Sequence, residues 1–416
     1  MSGLSKKIRT VLKNEEGKKL LENFIALFVL QGIGFLFPLI TYPYLARIIG
    51  VNRFGEIAFA LSIVVYFDTL IAYGFNYTAV REIAKNKDDI KKVSIIFSKV
   101  LVAKFVLFLI ALILFTALVY SIPILFNNRV LLFLTFLYVP GAMLFPEWLF
   151  QGIQKMKYVT VLNFVSKLLF TCLVFFVIKK EEDYLYQPLF IALGYILSGA
   201  ISLIIAYKKI GIRFIVPTFL EIKKVIYEGF SMFLTVFLPN LYTNFSITLL
   251  GSVGGTHATG IYSSGKKFVD ICDSFSSVLS RTFFPFLARR IDKHGLYVWI
   301  SGTVSVFMGI GLFVGADLII SIFYGIEFRE AATVLKIMSI SPFFLFLMNT
   351  YGTNYLVLKG REDILRNIVV FCSLFGFVLA WIAVSSYGYI GVAITVTSVW
   401  GVRGLLTWGY AKYLKV

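Results

Sequence analysis

The chain has 416 residues, 59% of them hydrophobic and 15% charged, with a mean hydropathy of +0.85; an average soluble domain carries about 45–50% apolar and about 25% charged residues. A soluble enzyme, a disordered chain and a disulfide-stapled secreted domain are thereby excluded, and lipid is the solvent this composition fits. Forty Lys and Arg against 22 Asp and Glu leave a formal net charge of +18, which in so apolar a chain reads as membrane topology, with no nucleic-acid partner expected.

A helix needs about 20 apolar residues to cross a bilayer. Runs of that size are predicted at 23–46, 57–80, 94–120, 130–150, 160–178, 188–207, 230–252, 268–288, 297–320, 332–358, 367–385 and 390–410, twelve in all. The runs at 268–288 and 332–358 are the most polar. The first is too long for a signal-peptide core and lacks a cleavage site, so it is expected to be retained. With the N-terminus in the cytoplasm, 31 of the 40 basic residues fall on the inner side and 9 outside. This Lys/Arg bias sets orientation, and it predicts that both termini are cytoplasmic.

The longest polar connection, Tyr207 to Glu228, reads YKKIGIRFIVPTFLEIKKVIYE. Its mixture of apolar and basic residues predicts a helix lying in the inner interface. It divides the chain into an N-terminal six-helix half (1–206), an amphipathic cytoplasmic linker (207–229) and a C-terminal six-helix half (230–416). The halves begin alike: Pro38 is followed twelve residues later by Gly50, and Pro239 twelve residues later by Gly251. Gly152 and Gly360 close polar turns 208 residues apart. These spacings point to an internal duplication about an axis along the membrane normal, a symmetry that in transporters puts the substrate between the repeats.

Cys172, Cys272 and Cys372 lie far apart in apolar stretches and read as buried free thiols, without metal or redox spacing. His257 and His294 are the only histidines, so no metal site is expected. No Gly-rich phosphate loop is present, so neither ATP hydrolysis nor a cofactor is expected.

Three blocks, FPLITYPYLARIIGVNRFGEIAFA (37–60), YGFNYTAVREIAKNKDDIKK (73–92) and FPEWLFQGIQKMKYVTVLNF (145–164), resemble the polysaccharide and O-antigen flippases of the multidrug/oligosaccharidyl-lipid/polysaccharide exporter superfamily. The C-terminal half matches mainly in hydropathy and span count. The resemblance implies an all-α polytopic protein, two six-helix bundles around a central cavity, with no catalytic role. It further implies alternating-access transfer of undecaprenyl-pyrophosphate-linked oligosaccharide across the bacterial inner membrane. Membrane lipids, a polysaccharide polymerase and chain-length machinery are the implied partners. The alternative within the same fold is a multidrug antiporter for organic cations.

A pyrophosphate cannot enter hydrocarbon unpaired, so such cargo calls for cations in a wet cavity. Ionisable residues inside spans are the candidates. Arg281, deep in the eighth run, is the first choice for a phosphate contact; an ion pair between helices is its alternative. Arg47 reaches an outer mouth or snorkels to headgroups. Lys104 and Lys167 lie seven to ten residues inside their runs; snorkelling explains Lys167 readily and Lys104 less so. Asn240 and Asn244, one turn apart beside Pro239, offer a hinge or a sugar contact, or hydrogen bonds between helices. For ion coupling or gating the candidates are Asp68, mid-span, and Asp270 and Asp273, which with Lys266 and Lys267 also fit a local ion-pair cluster. Glu147 and Trp148 read as an interface anchor, and Gly311 with Gly315 as a close helix-packing pair.

Overall fold

The computed structural model describes the backbone of residues 15–414 and the side chains of 37–414 apart from Pro285 and Arg289. Residues 1–14, which hold the first basic residues of the orientation argument, and 415–416 lie outside it. The described residues form helices and turns with no strand. Nine of the helices are long and apolar enough to cross a membrane, so the chain is a multi-pass membrane protein.

The difference from twelve predicted runs has physical causes. The first two runs form one helix, Glu15–Ala72, kinked at Gly50, whose φ of 72° and ψ of 172° suit only glycine. The last two form one helix, Glu362–Tyr413, kinked at Gly388 (φ 56°, ψ −130°). The helix Gly255–Arg289 has the length, but five charged residues between Lys266 and Arg281 make it too polar to count among the nine.

Apolar faces explain how the helices sit. Ile90–Ser121 is apolar on all sides. Val100, Ala103, Leu107, Ala111, Phe115 and Val119 are buried at helical spacing, while Phe105, Leu109, Ile113 and Leu118 of the opposite face are exposed. An exposed stripe of this kind belongs against acyl chains.

The predicted interfacial helix at 207–228 is not one helix. A π-type turn, Ala206–Ile210, ends at Gly211, which is left-handed (φ 85°). Pro217 lacks the N–H that a helix interior would need, and residues 211–218 run without helix. The Arg213 and Ile215 N–H groups donate to Ser94 and Ser98 Oγ (3.0 and 2.9 Å). The next helix, Phe219–Phe237, then starts on a capping box between Thr218 and Glu221.

Residues of positive φ punctuate the chain: Gly50 kinks Glu15–Ala72, and Gly255 opens Gly255–Arg289 just after Phe219–Val253. Further on, Gln154 and Gly360, both of positive φ, break the chain after Arg129–Gly152 and after Ala331–Val357. Gly251, matched to Gly50 in the sequence pattern, instead lies inside the helix Asn244–Val253.

By contacts the chain divides into two compact units, 37–260 and 1–36 with 261–416. In the first, Phe115 stacks on Phe136 (4.4 Å between centroids) and meets Phe67 edge-on (5.2 Å), forming an aromatic core between three helices. In the second, Leu279, Phe283, Phe286, Leu287 and Tyr297 form a buried cluster. Among the described residues Gly311 has nothing against it, and Gly315 meets only Ile319 of its own helix, so the predicted packing pair is not at a helix crossing. Cys272 and Cys372 are buried, whereas Cys172 is exposed on Met156–Val177, contrary to its expected burial.

Candidate functional site

The unit 37–260 holds two neighbouring half-open cavities. One, of about 230 Å³, is lined by Asp68, Thr135, Tyr138 and Gln187. The other, of about 160 Å³, is lined by Asn163, Ser166, Lys167 and Ser198 among aromatic side chains. Tyr42, Ile191 and Tyr195 line both.

Local sequence builds the larger cavity. Asp68 sits one turn before the end of the helix that stops at Ala72. Tyr73 and Gly74 both have positive φ there (46° and 75°), which ends that helix and starts the next. Lys104 lies on the buried stripe of Ile90–Ser121, 6% exposed. Phe145 is extended because it precedes Pro146; that break restarts the chain as Glu147–Gly152 and sets Glu147 at a helix start. Lys104 interacts electrostatically with both Asp68 and Glu147. A buried ammonium among carboxylates is the arrangement that keeps charge tolerable in a low dielectric.

Gln187 is held at the other end of the cavity. Arg53 bonds Glu56 at 2.9 Å, approaches Glu181 at 3.2 Å and lies over the Tyr184 ring at 4.6 Å. The short turn Glu181–Leu185 is thereby fixed, and the helix Tyr186–Ile205 follows from it. Gln187 is 2% exposed, and among the described residues its side-chain Oε1 has no hydrogen-bond partner.

The predicted site residues fall in different places. Asp68 and Lys104 lie within electrostatic range of each other, as above. Lys167 lines a cavity, a correction to its reading as a snorkelling residue. Trp148 is 1% exposed and packs on Phe97 at 5.7 Å, which corrects the interface anchor; its burial follows from the Phe145–Pro146 break that turns it inward. Asn240 and Asn244 join in hydrogen bonds between helices. Asn244 Nδ2 donates to Asn240 Oδ1 (2.7 Å), Asn240 Nδ2 to Thr69 Oγ1 (3.2 Å), and the Tyr66 hydroxyl to the Asn240 carbonyl (2.8 Å). Pro239 does bend the chain, through the 3₁₀ turn Leu238–Leu241. Asn240→Ala is therefore expected to lower stability by about 1–2 kcal/mol through unpaired polar groups, measured as a fall in melting temperature with retained insertion.

In the other unit, Lys266 and Asp270 pair at 2.5 Å. Asp273 interacts with Asp270, with Lys266 and with Arg403 of the last helix. Arg281 is exposed on its helix, and Arg47 is exposed on the first. Among the described residues no cluster of three metal-ligating side chains occurs. Sequence reasoning passed over Gln187, Tyr138, Tyr195 and Arg403 as site residues, and read Glu147 only as part of an interface anchor. Gln187, a lone amide opening an apolar run just before Pro188, was the one such residue with a legible signal.

The fold places the protein in a known class. Over 93% of this chain and 87% of the other, it superposes on a structure described as lipid II flippase MurJ, inward closed conformation, with a TM-score of 0.75 and 14% identity. A multidrug resistance MATE family transporter of the MOP superfamily, inward-facing, matches 91% of this chain and 94% of its own with a TM-score of 0.64 and 15% identity. The chain thus has the fold of the multidrug/oligosaccharidyl-lipid/polysaccharide exporter superfamily.

Within that class it belongs to the polysaccharide biosynthesis protein family, whose model matches residues 20–291. A relative from Escherichia coli (strain K12), named "Putative O-antigen transporter", is 26% identical over 92% of this chain and 94% of its own length. A protein of the same name from Shigella dysenteriae is 25% identical over 90% and 96%.

Proposed function

We propose that this protein is a flippase that carries lipid-linked oligosaccharide, an O-antigen or other polysaccharide repeat unit on undecaprenyl pyrophosphate, from the inner to the outer leaflet of a bacterial inner membrane. The observation that carries the reading is the polysaccharide biosynthesis family match over residues 20–291, joined to relatives named for O-antigen transport that align nearly end to end. The likeness to a lipid II flippase fits the same class of cargo.

The working organisation is twelve spans in two halves, 1–206 and 230–416, joined by the connection 207–229, with both termini cytoplasmic. The kinks at Gly50 and Gly388 supply two of the additional spans, and Gly255–Arg289 the twelfth. The positive-φ breaks at Gly50 and Gly255, and later at Gln154 and Gly360, support the duplication. The protein acts by alternating access and not as an enzyme. Arg281 and Arg47 supply cations to the pyrophosphate, and Lys104, Asn240 and Asn244 serve the polar part of the cargo. Asp68, Asp270 and Asp273 couple the cycle to an ion gradient or gate it. A polysaccharide polymerase with its chain-length machinery takes the product.

A second reading, an organic-cation antiporter, draws on the Asp68 carboxylate among tyrosines and on the multidrug-transporter likeness. Complementation separates the two. Expression in a flippase-null strain should restore surface polysaccharide and clear the accumulated lipid-linked intermediate. Arg281→Ala should leave protein in the membrane and abolish that rescue. A strain that gains drug resistance but no polysaccharide would favour the antiporter.

A further inference from the structure

We propose that the larger cavity of the unit 37–260 is a subsite for a single sugar ring of the cargo, uncharged or amino-bearing, and separate from whatever holds the pyrophosphate; this rests on the flippase reading above. Size is the first argument. The cavity is about 230 Å³ and half open, so it can seat one ring while the rest of a longer glycan extends outside it.

Charge is the second. Asp68 lines the cavity, and the cation that interacts with it, Lys104, interacts with Glu147 as well. Two carboxylates thus lie in the field of one ammonium. A pyrophosphate placed here would add negative charge to a site already committed on that side, in a low dielectric where like charges repel strongly. A neutral polyol, or a sugar with an amino group, meets no such penalty. A uronic acid does.

Hydrogen-bonding capacity is the third. Gln187 lines the cavity, is 2% exposed, and leaves Oε1 without a partner among the described residues. A buried acceptor of this kind is costly unless a donor reaches it, and hydroxyl and amide N–H groups are what a sugar presents. The Asp68 carboxylate adds acceptors on the same lining. Thr135 gives its own proton to the Leu131 carbonyl (2.7 Å), so its oxygen also remains as an acceptor. The lining is thus rich in acceptors, matched to a ligand rich in donors.

Aromatic walls are the fourth. Tyr138 and Tyr195 lie 5.5 Å apart between centroids, and Tyr42 completes the lining. Their π faces are negative and receive the C–H face of a ring whose hydroxyls point to Gln187 and Asp68. Tyr42 and Tyr195 continue into the smaller cavity, so the next residue of a glycan has a path.

The test uses the full-length protein in lipid nanodiscs and three probes: undecaprenyl pyrophosphate, the same lipid bearing one N-acetylglucosamine, and the same lipid bearing one glucuronic acid. Dissociation constants are read by microscale thermophoresis. The N-acetylglucosamine lipid should bind at least about tenfold tighter than the bare lipid, about 1.4 kcal/mol, and the glucuronic acid lipid should show no gain. Gln187→Leu, and separately Tyr195→Ala at a partly exposed position that tolerates truncation, should erase the gain and leave bare-lipid binding unchanged. Equal binding of bare and sugar-bearing lipid by the wild type overturns the subsite while leaving the flippase reading in place. Equal loss of both lipids in both variants also overturns it, since the residues would then be structural. Failure of any lipid to bind the wild type, with tetraphenylphosphonium binding instead, overturns both readings in favour of an organic cation.

Discussion

Lys104→Met is expected to cut the amount of folded protein in the membrane steeply and to abolish transport in what remains. The side chain is 6% exposed and is the cation that interacts with Asp68 and Glu147. Removing it leaves these carboxylates without their nearby compensating charge, a change bounded above by the about 3–5 kcal/mol of breaking a contacting buried pair. Snorkelling offers no escape, because Lys104 stands on the inward stripe between Val100 and Leu107, not on the lipid-facing one. The double variant Asp68→Asn, Lys104→Met removes opposite charges together and should recover most of the folded protein. Transport should stay absent in the double variant, since the ionisable carboxylate proposed for coupling is gone. Melting temperature and surface polysaccharide, measured side by side, separate the two effects. A double variant as unstable as Lys104→Met alone would show that Asp68 and Lys104 are not coupled, because coupled neighbours deviate from additivity by about 0.5–3 kcal/mol.

The same residues mark where sequence was legible and where it stopped. Hydropathy located the helices because a spanning helix must be apolar over its whole length, and that is a one-dimensional property. The breaks at Gly50 and between the last two runs were likewise visible as polar or glycine punctuation. Lys104 and Asp68 stood out singly, since any charge inside an apolar run is conspicuous. That they fall within electrostatic range of each other was not legible: 36 positions separate them, and helical rotation on two different elements decides their approach. Glu147 was misread with Trp148 because both lie at the end of an apolar run. The extended Phe145 before Pro146 turns a run end that should reach the interface back into the bundle. The connection at 207–228 carried an amphipathic composition, yet Gly211 and Pro217 outweigh composition when the backbone must choose.

Arg281 presents the opposite case. Its depth in the eighth run drew attention, but that run belongs to a helix with Lys266, Lys267, Asp270 and Asp273 also on it. Such a helix is too polar to face lipid all round, and Arg281 is exposed on it. Exposure leaves the guanidinium available to a phosphate, whereas the pairing of Lys266 with Asp270 occupies those two with each other. The function proposed above would then put anion binding and sugar binding on different elements: Arg281 on Gly255–Arg289, and Gln187 with the tyrosines in the unit 37–260.

Gly55→Ala is expected to destabilise the protein strongly, while Gly311→Ala is expected to be neutral or slightly stabilising. Sequence pattern alone argues the reverse, since Gly311 and Gly315 form the recognisable small-xxx-small spacing of membrane helix pairs. A methyl at Gly55 would overlap the Thr256 carbonyl oxygen and come within 2.8 Å of the Gly260 backbone nitrogen. Both partners are backbone, which cannot rotate aside as a side-chain tip can. Gly260 meets Val51 in the same way, so two helices cross here with their main chains nearly touching, and either methyl would push them apart. Overpacking of this kind costs typically about 1–3 kcal/mol, more where backbone must shift. Among the described residues nothing lies within 4 Å of a methyl at Gly311, so alanine adds no clash with them and gains about 0.5–1 kcal/mol from the restricted unfolded chain in a helix interior. Thermal unfolding of the two variants in the same detergent gives the comparison directly. A Gly55→Ala protein that melts with the wild type would mean that the 51–72 and 255–289 helices do not approach as closely as the backbone overlap requires.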